Sequence, residues 1–137
     1  MPSILVDAGP LIALFDRRDR YHTKAVEFLK DSEIDFKTTM AVLTEVVLTL
    51  DFSRSAQTGF LQWVYGAVDV DAELVSDIPR IVEVMAKYGD LPADFADASL
   101  VALAERIGIR DVATIDSDFS IYRTKDKRRF TNVFPDD

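Results

Sequence analysis

The chain has 137 residues, 48% hydrophobic and 29% charged, which is long enough for a packed core and too apolar for a disordered polymer. It contains no cysteine, which excludes disulfides, thiolate catalysis and sulfur-ligated zinc. Its net charge of -8 argues against unaided contact with nucleic acid, because phosphates repel an acidic surface.

Ile4-Leu5-Val6 is a short apolar run ending at Asp7, the pattern of a buried parallel strand. Ala8-Gly9-Pro10 turns the chain into a helix through Leu14 and Phe15, with Pro10 suited to its first turn. A second helix is expected from Arg20 to Lys30, then a strand from Asp35 to Thr39. Thr39 is placed to cap a helix from Met40 to Leu50. Ala56 to Tyr65 reads as helix ending at Gly66, and Ala67 to Val70 as a third strand. Ser76 can cap a helix to about Tyr88, stopped by Gly89. Pro92 introduces a helix from Ala93 to Ile107, ended by Gly108, and Val112 to Ile115 is a strand ending at Asp116. Strands alternating with helices predict an α/β layered fold with a mainly parallel sheet, whose ligands bind beyond the carboxyl ends of its strands. No apolar run approaches the roughly 20 residues that span a bilayer. Met1-Pro2-Ser3 does not start a signal peptide, so a cytoplasmic protein is expected.

Four acids stand out. Asp7 and Asp116 end strands, where either could also be a cap or turn residue. Glu45 is the only charge on a helix that is apolar nearly all round, so it needs a partner or a cation. Asp97 lies one turn inside a helix of small and apolar residues, three residues after Asp94, which the helix dipole alone explains. Thr114 is two residues before Asp116 and shares its strand face, so its hydroxyl could orient a carboxylate. Oxygen ligands without cysteine point to Mg²⁺ or Mn²⁺, and a bound cation reverses the local sign of the field. Arg123 to Arg129 carries five basic side chains against one acid, and Arg17, Arg18 and Arg20 form a smaller group. A solvated face is the ordinary reading of both. His22, the only histidine, reads as structural.

The segments Ile4-Leu5-Val6-Asp7-Ala8-Gly9-Pro10-Leu11-Ile12-Ala13-Leu14, Thr44-Glu45-Val46, Asp97-Ala98-Ser99-Leu100-Val101-Ala102-Leu103-Ala104 and Thr114-Ile115-Asp116-Ser117-Asp118-Phe119 resemble the PIN domain. Among PIN proteins the chain is similar to the VapC-type toxins of toxin–antitoxin modules. The resemblance implies one PIN-like nuclease domain over residues 1–137, with a three-layer α/β/α sandwich around a mainly parallel sheet. It maps the catalytic, metal-binding acids onto Asp7, Glu45, Asp97 and Asp116, with Asp7 and Asp97 as principal magnesium ligands. Asp94, Thr114 and Asp118 would be auxiliary.

The implied activity is Mg²⁺- or Mn²⁺-dependent cleavage of phosphodiester bonds in RNA, single-stranded or structured. Arg123, Lys125 and Arg128 are candidates for holding the RNA backbone, and Tyr122 for stacking on a base if it is exposed, with a core or edge position its ordinary reading. A cognate antitoxin, whose basic side chain would enter the acidic pocket, and a homodimer are the implied partners. Phe60, Trp63 and Val64 suit either an interface or the core. The rival classes are a PIN-fold nuclease without a toxic role, a magnesium-binding phosphoacceptor domain, and a non-catalytic module whose acids are caps and ion pairs. A phosphoacceptor would need adjacent acids after the first strand, where Asp7 stands alone.

Overall fold

The apolar run at the start of the chain becomes the middle of the sheet. The computed structural model describes residues 1–91 and 94–135. β1 (Ser3–Val6) lies between β2 (Asp35–Thr39) and β4 (Asp111–Ala113), with β3 (Asp69–Asp71) and β5 (Thr131–Asn132) at the edges. The order is β3-β2-β1-β4-β5 and every pairing is parallel, with Leu5 opposite Lys37 on one side and Val112 on the other. The chain steps outward from β1 through β2 to β3, then crosses back to β4. The winding therefore reverses between β1 and β4, and a cleft is expected beyond their carboxyl ends. Asp7 follows one of these strands and Thr114 the other.

Six helices connect the strands: α1 (Ala8–Phe15), α2 (His22–Leu29), α3 (Met40–Thr49), α4 (Arg54–Ala67), α5 (Leu74–Lys87) and α6 (Phe95–Ile107). With the right-handed crossovers usual between parallel strands, winding outward from β1 on both sides places helices on both faces, the expected layered sandwich. α6 explains its uniform apolarity: every residue from Ala96 to Ala104 is buried. Leu100 and Leu103 alone contribute roughly 2 kcal/mol each through burial. Phe60 and Val64 are also core residues, and Trp63 packs against them half-buried.

Several boundaries differ from expectation for local reasons. α4 runs on to Ala67, and the Val68 N–H still donates to the Val64 carbonyl, so β3 starts at Asp69 instead of Ala67. α5 begins at Leu74, before Ser76, whose hydroxyl donates to the Glu73 carbonyl and does not cap. β4 stops at Ala113 because the side chain of Asn132, not a neighbouring strand, takes the Thr114 N–H. β5 has only two residues, too few to show a pattern. Thr39 caps α3 by accepting from the Val42 N–H. Gly108 ends α6 in the left-handed region at φ 74°, a conformation that favours glycine. Pro92 and Ala93, the expected start of this helix, lie outside the described residues. Among those described, no helix is long and apolar enough to cross a membrane.

Candidate active site

Asp7 sits at the sheet's switch point and is almost fully buried. Its Oδ1 accepts from the Ala8 N–H at 2.8 Å, so the carboxylate caps α1 as well as facing the cleft. Its Oδ2 accepts from the Thr114 hydroxyl, also at 2.8 Å. That hydroxyl oxygen in turn accepts from the Asp116 N–H at 2.9 Å. One threonine thus joins the carboxyl ends of β1 and β4. It is itself fixed by Asn132, whose amide donates to the Thr114 carbonyl while its Oδ1 accepts from the Thr114 N–H. Behind the cluster, a Cβ on Gly9 would meet Ile115 side-chain atoms at 3.1 Å, so glycine lets α1 approach this loop closely.

α6 enters from the other side. Asp94 caps it by accepting from the Asp97 N–H at 2.8 Å, which explains the spacing of these two acids. Asp97 is buried, and its Oδ2 accepts from the Tyr122 hydroxyl at 2.8 Å. Asp116 is exposed and its Oδ1 accepts from the Asp118 N–H. One carboxylate oxygen from each of Asp7, Asp97 and Asp116 lies within 4.8 Å of the others. Among the described residues, none of the three is ion-paired to lysine or arginine.

Glu45 joins the cluster by a different route. The Thr39 hydroxyl meets Ser99 Oγ at 2.7 Å. Ser99 gives its own proton to the Ala96 carbonyl, so Thr39 donates in this contact. This bond ties the start of α3 to α6. Glu45 is half-buried on α3 and lies beside the Asp94 carboxylate. It lies outside the group of three convergent oxygens.

The electrostatic consequence follows from acids gathered without a cation. Burial, reinforced by the Asp7 and Asp94 charges, pushes Asp97 up to about 8. Glu45 rises to about 7 through burial and the Asp94 carboxylate beside it. Asp7 rises to about 6 because burial outweighs the Ala8 and Thr114 hydrogen bonds, which favour its charged form. Asp118 shifts upward as well, at the exposed rim. The donor set contains only hard oxygens, has no sulfur or imidazole, and repels itself. A small divalent cation such as Mg²⁺ or Mn²⁺ fits it, and Asp7, Asp97 and Asp116 are the residues placed to hold one.

The basic candidates are elsewhere. Arg123 donates from one guanidinium nitrogen to the carbonyls of Ser120, Ile121 and Tyr122, each at 2.9 Å, and so braces its own turn. Lys125 and Arg128 line a separate concavity of about 510 Å³ with Glu105, Gly108 and Arg110. Glu105 lies eight residues beyond Asp97 on α6, roughly 12 Å along its axis. Tyr122 is fully buried and cannot stack on a base. His22 Nδ1 contacts the Ala13 carbonyl at 2.7 Å, a structural role. Sequence reasoning missed Tyr122 and Asn132 as partners of the site. The spacing of Phe119 and Tyr122 hinted at a buried aromatic, whereas nothing around Asn132 marks it.

A parallel sheet with carboxylates gathered at its switch point offers a place for a divalent cation beyond the strand ends. The PIN domain family model matches residues 4–125, and the chain belongs to that family. It is 28% identical to Ribonuclease VapC26 of Mycobacterium tuberculosis, over 95% of this chain and 99% of that protein. The crystal structure of M. tuberculosis VapC20, described as a Sarcin-Ricin loop cleaving toxin, superposes with a TM-score of 0.79 at 23% identity, covering 96% of this chain and 99% of that one. VapBC2 from Rickettsia felis, solved bound to a fragment of its promoter DNA, gives a TM-score of 0.62 at 12% identity, with 95% and 98% covered.

Proposed function

We propose that this PIN-domain protein is a metal-dependent endoribonuclease and the toxin of a toxin–antitoxin pair. The observation that carries the reading is the convergence of three carboxylate oxygens, from Asp7, Asp97 and Asp116, within 4.8 Å and without a cationic partner among the described residues. The relatedness to VapC26, a named ribonuclease, supports RNA as the substrate, and the toxin folds of VapC20 and VapBC2 support the partnership.

In this reading Asp7 and Asp97 are the principal ligands of a Mg²⁺ or Mn²⁺ ion and Asp116 completes the set. When bound, that ion supplies the positive charge that acidifies the attacking water and offsets the charge building on the phosphate. Thr114 sets the rotation of Asp7 and the height of Asp116 in one move. Glu45, the fourth acid, stands beside Asp94 at the edge of the cluster, its carboxyl raised to about 7 by burial and by that neighbour. Asp118 orients Asp116 through its backbone N–H. The RNA backbone away from the cut is held by Lys125 and Arg128, with Arg123 bracing the Ser120–Tyr122 turn that precedes them. Homodimerisation, a cytoplasmic location and an antitoxin that covers the acidic cleft complete the proposal.

The deciding experiment compares the native protein with Asp97→Asn on RNA, with Mg²⁺ or Mn²⁺ and with EDTA. Cleavage is expected only for the native protein with metal. Absent metal-dependent cutting, or equal cutting by the variant, overturns the reading. Co-purification with the product of the neighbouring gene tests the antitoxin, and repeated recovery of the chain alone counts against it.

A further inference from the structure

Each of the three convergent acids is held by a donor, and the donor to Asp97 is a buried phenol. Asp116 is gripped from its own loop by the Asp118 N–H, and Asp7 by its neighbouring Ala8 N–H and, across the fold, by the Thr114 hydroxyl. Asp97 is gripped across the fold by a fully buried tyrosine, 25 residues later in the chain. The Tyr122 ring stands edge-to-face against Tyr88 at 5.1 Å and against Phe119 at 5.0 Å, which fixes where its hydroxyl points. The Tyr88 hydroxyl accepts from the Arg123 N–H at 2.9 Å, a bond separate from the one between Tyr122 and Asp97. An aspartate on the first turn of a helix can rotate about its side-chain bonds. The Tyr122 bond removes that freedom by engaging Oδ2, while Oδ1 receives no donor from the described residues.

We propose that Tyr122 is the positioning residue for Asp97: its hydroxyl holds one carboxylate oxygen so that the other stays directed into the cleft as a cation ligand. This rests on the reading of the cluster as a divalent-metal site. Tyr122 touches neither substrate nor cation and acts only through Asp97. The hydroxyl also satisfies an oxygen that would otherwise compete for the cation. Partners of this outer kind typically change metal affinity by about 10–100-fold.

Tyr122→Phe keeps the ring and its edge-to-face contacts while deleting the bond to Asp97. Tyr88→Phe is the matched control, since it deletes a bond to the Arg123 N–H in the same aromatic group without touching a carboxylate. Mn²⁺ binding to the metal-stripped proteins is measured by calorimetry, together with the rise in Tm that saturating Mn²⁺ gives each variant over its own metal-free form. That rise is internal to each protein, so a general loss of stability does not mimic the effect. The expected result is a Mn²⁺ Kd raised about 10-fold or more in Tyr122→Phe, a smaller Tm rise, and native values in Tyr88→Phe. Equal affinities for Tyr122→Phe and the native chain overturn the inference and leave the metal site standing, as does an equal loss in Tyr88→Phe. A native chain that binds no Mn²⁺ overturns the metal reading and this inference together.

Discussion

Among the described residues, two clusters of carboxylates lie at opposite ends of α6, one around a guanidinium and the other without a lysine or arginine partner. At the start of α5, Asp71, Glu73 and Asp77 surround the Arg106 guanidinium, with contacts of 2.6, 3.2 and 2.9 Å. Those acids hold Arg106 well above its usual value. At the other end of α6, Asp7, Glu45, Asp94, Asp97 and Asp116 face one another, and three of their carboxyls are driven upward by burial and mutual repulsion. The same helix therefore carries a neutralised cluster near its C-terminus and an unneutralised one near its N-terminus. The difference separates a structural clamp from a site that waits for a charge from outside.

The largest break in that contrast comes from Asp97→Asn. It removes a ligand, so metal-dependent cleavage should fall by more than the roughly 10–100-fold that loss of an outer partner costs. The same change relieves repulsion, so the metal-free variant should melt higher than the native chain in EDTA. Arg106→Ala should do the reverse, leaving three acids facing one another while keeping Mn²⁺ binding intact. Its expected cost is about 2 kcal/mol, or a Tm lower by several degrees. Calorimetric melts of both variants, with and without Mn²⁺, check the pair. If Asp97→Asn destabilises in EDTA as much as Arg106→Ala does, the two clusters are alike and the contrast fails.

Much of this was legible in the sequence, and unevenly so. The central strand was readable because Ile4-Leu5-Val6 is buried on both faces and so carries no polar alternation. Asp97 was readable because α6 is buried from Ala96 to Ala104, which leaves a lone inward carboxylate conspicuous. Glu45 was conspicuous as the only charge on an apolar helix, although α3 is buried only at Ala41, Val42, Leu43 and Val46 and exposes Met40 and Leu48. Its neighbour Asp94 was not, because the capping bond that Asp94 makes is an adequate account by itself. The Asn132 and Tyr122 contacts were invisible, since each depends on tertiary distance across 18 and 25 residues and neither leaves a period in the chain. Residues 125–129 of the basic run are exposed, whereas Arg123 is turned back onto its own turn. That Lys125 lies beside Glu105, near the far end of α6 from Asp97, is a tertiary fact no local pattern states.

The pH dependence sharpens the contrast next. Asp7, Glu45 and Asp97 have folded values of about 6, 7 and 8, against 3.8 to 4.5 for the free groups. Between those limits the folded chain binds protons that the unfolded chain has released. Their contribution to stability is therefore fully present below about pH 4 and is lost as pH rises through 6 to 8. In EDTA the Tm should fall on going from pH 5.5 to pH 8.5, and saturating Mn²⁺ should flatten the slope. Asp97→Asn should remove part of that slope, whereas Arg106→Ala should retain it. A metal-free Tm that climbs over this range would contradict the raised values.

Glu45→Gln gives the smallest expected effect and defines the edge of the unneutralised cluster. Glu45 lies beside Asp94 and feels the charges of Asp7 and Asp116, but its oxygens are not among the three that converge. A glutamine can donate to Asp94 without a titrating proton, so the metal-free variant should gain slightly in stability at pH 8. Cleavage should fall by about 10-fold, the lower end of what an outer partner contributes. Mn²⁺ affinity should stay close to native, because the ligand oxygens are untouched. Single-turnover cleavage and Mn²⁺ calorimetry on this variant and Asp97→Asn decide the matter. If Glu45→Gln loses affinity as severely as Asp97→Asn, then α3 contributes a direct ligand, and α3 must move toward α6 when the ion binds.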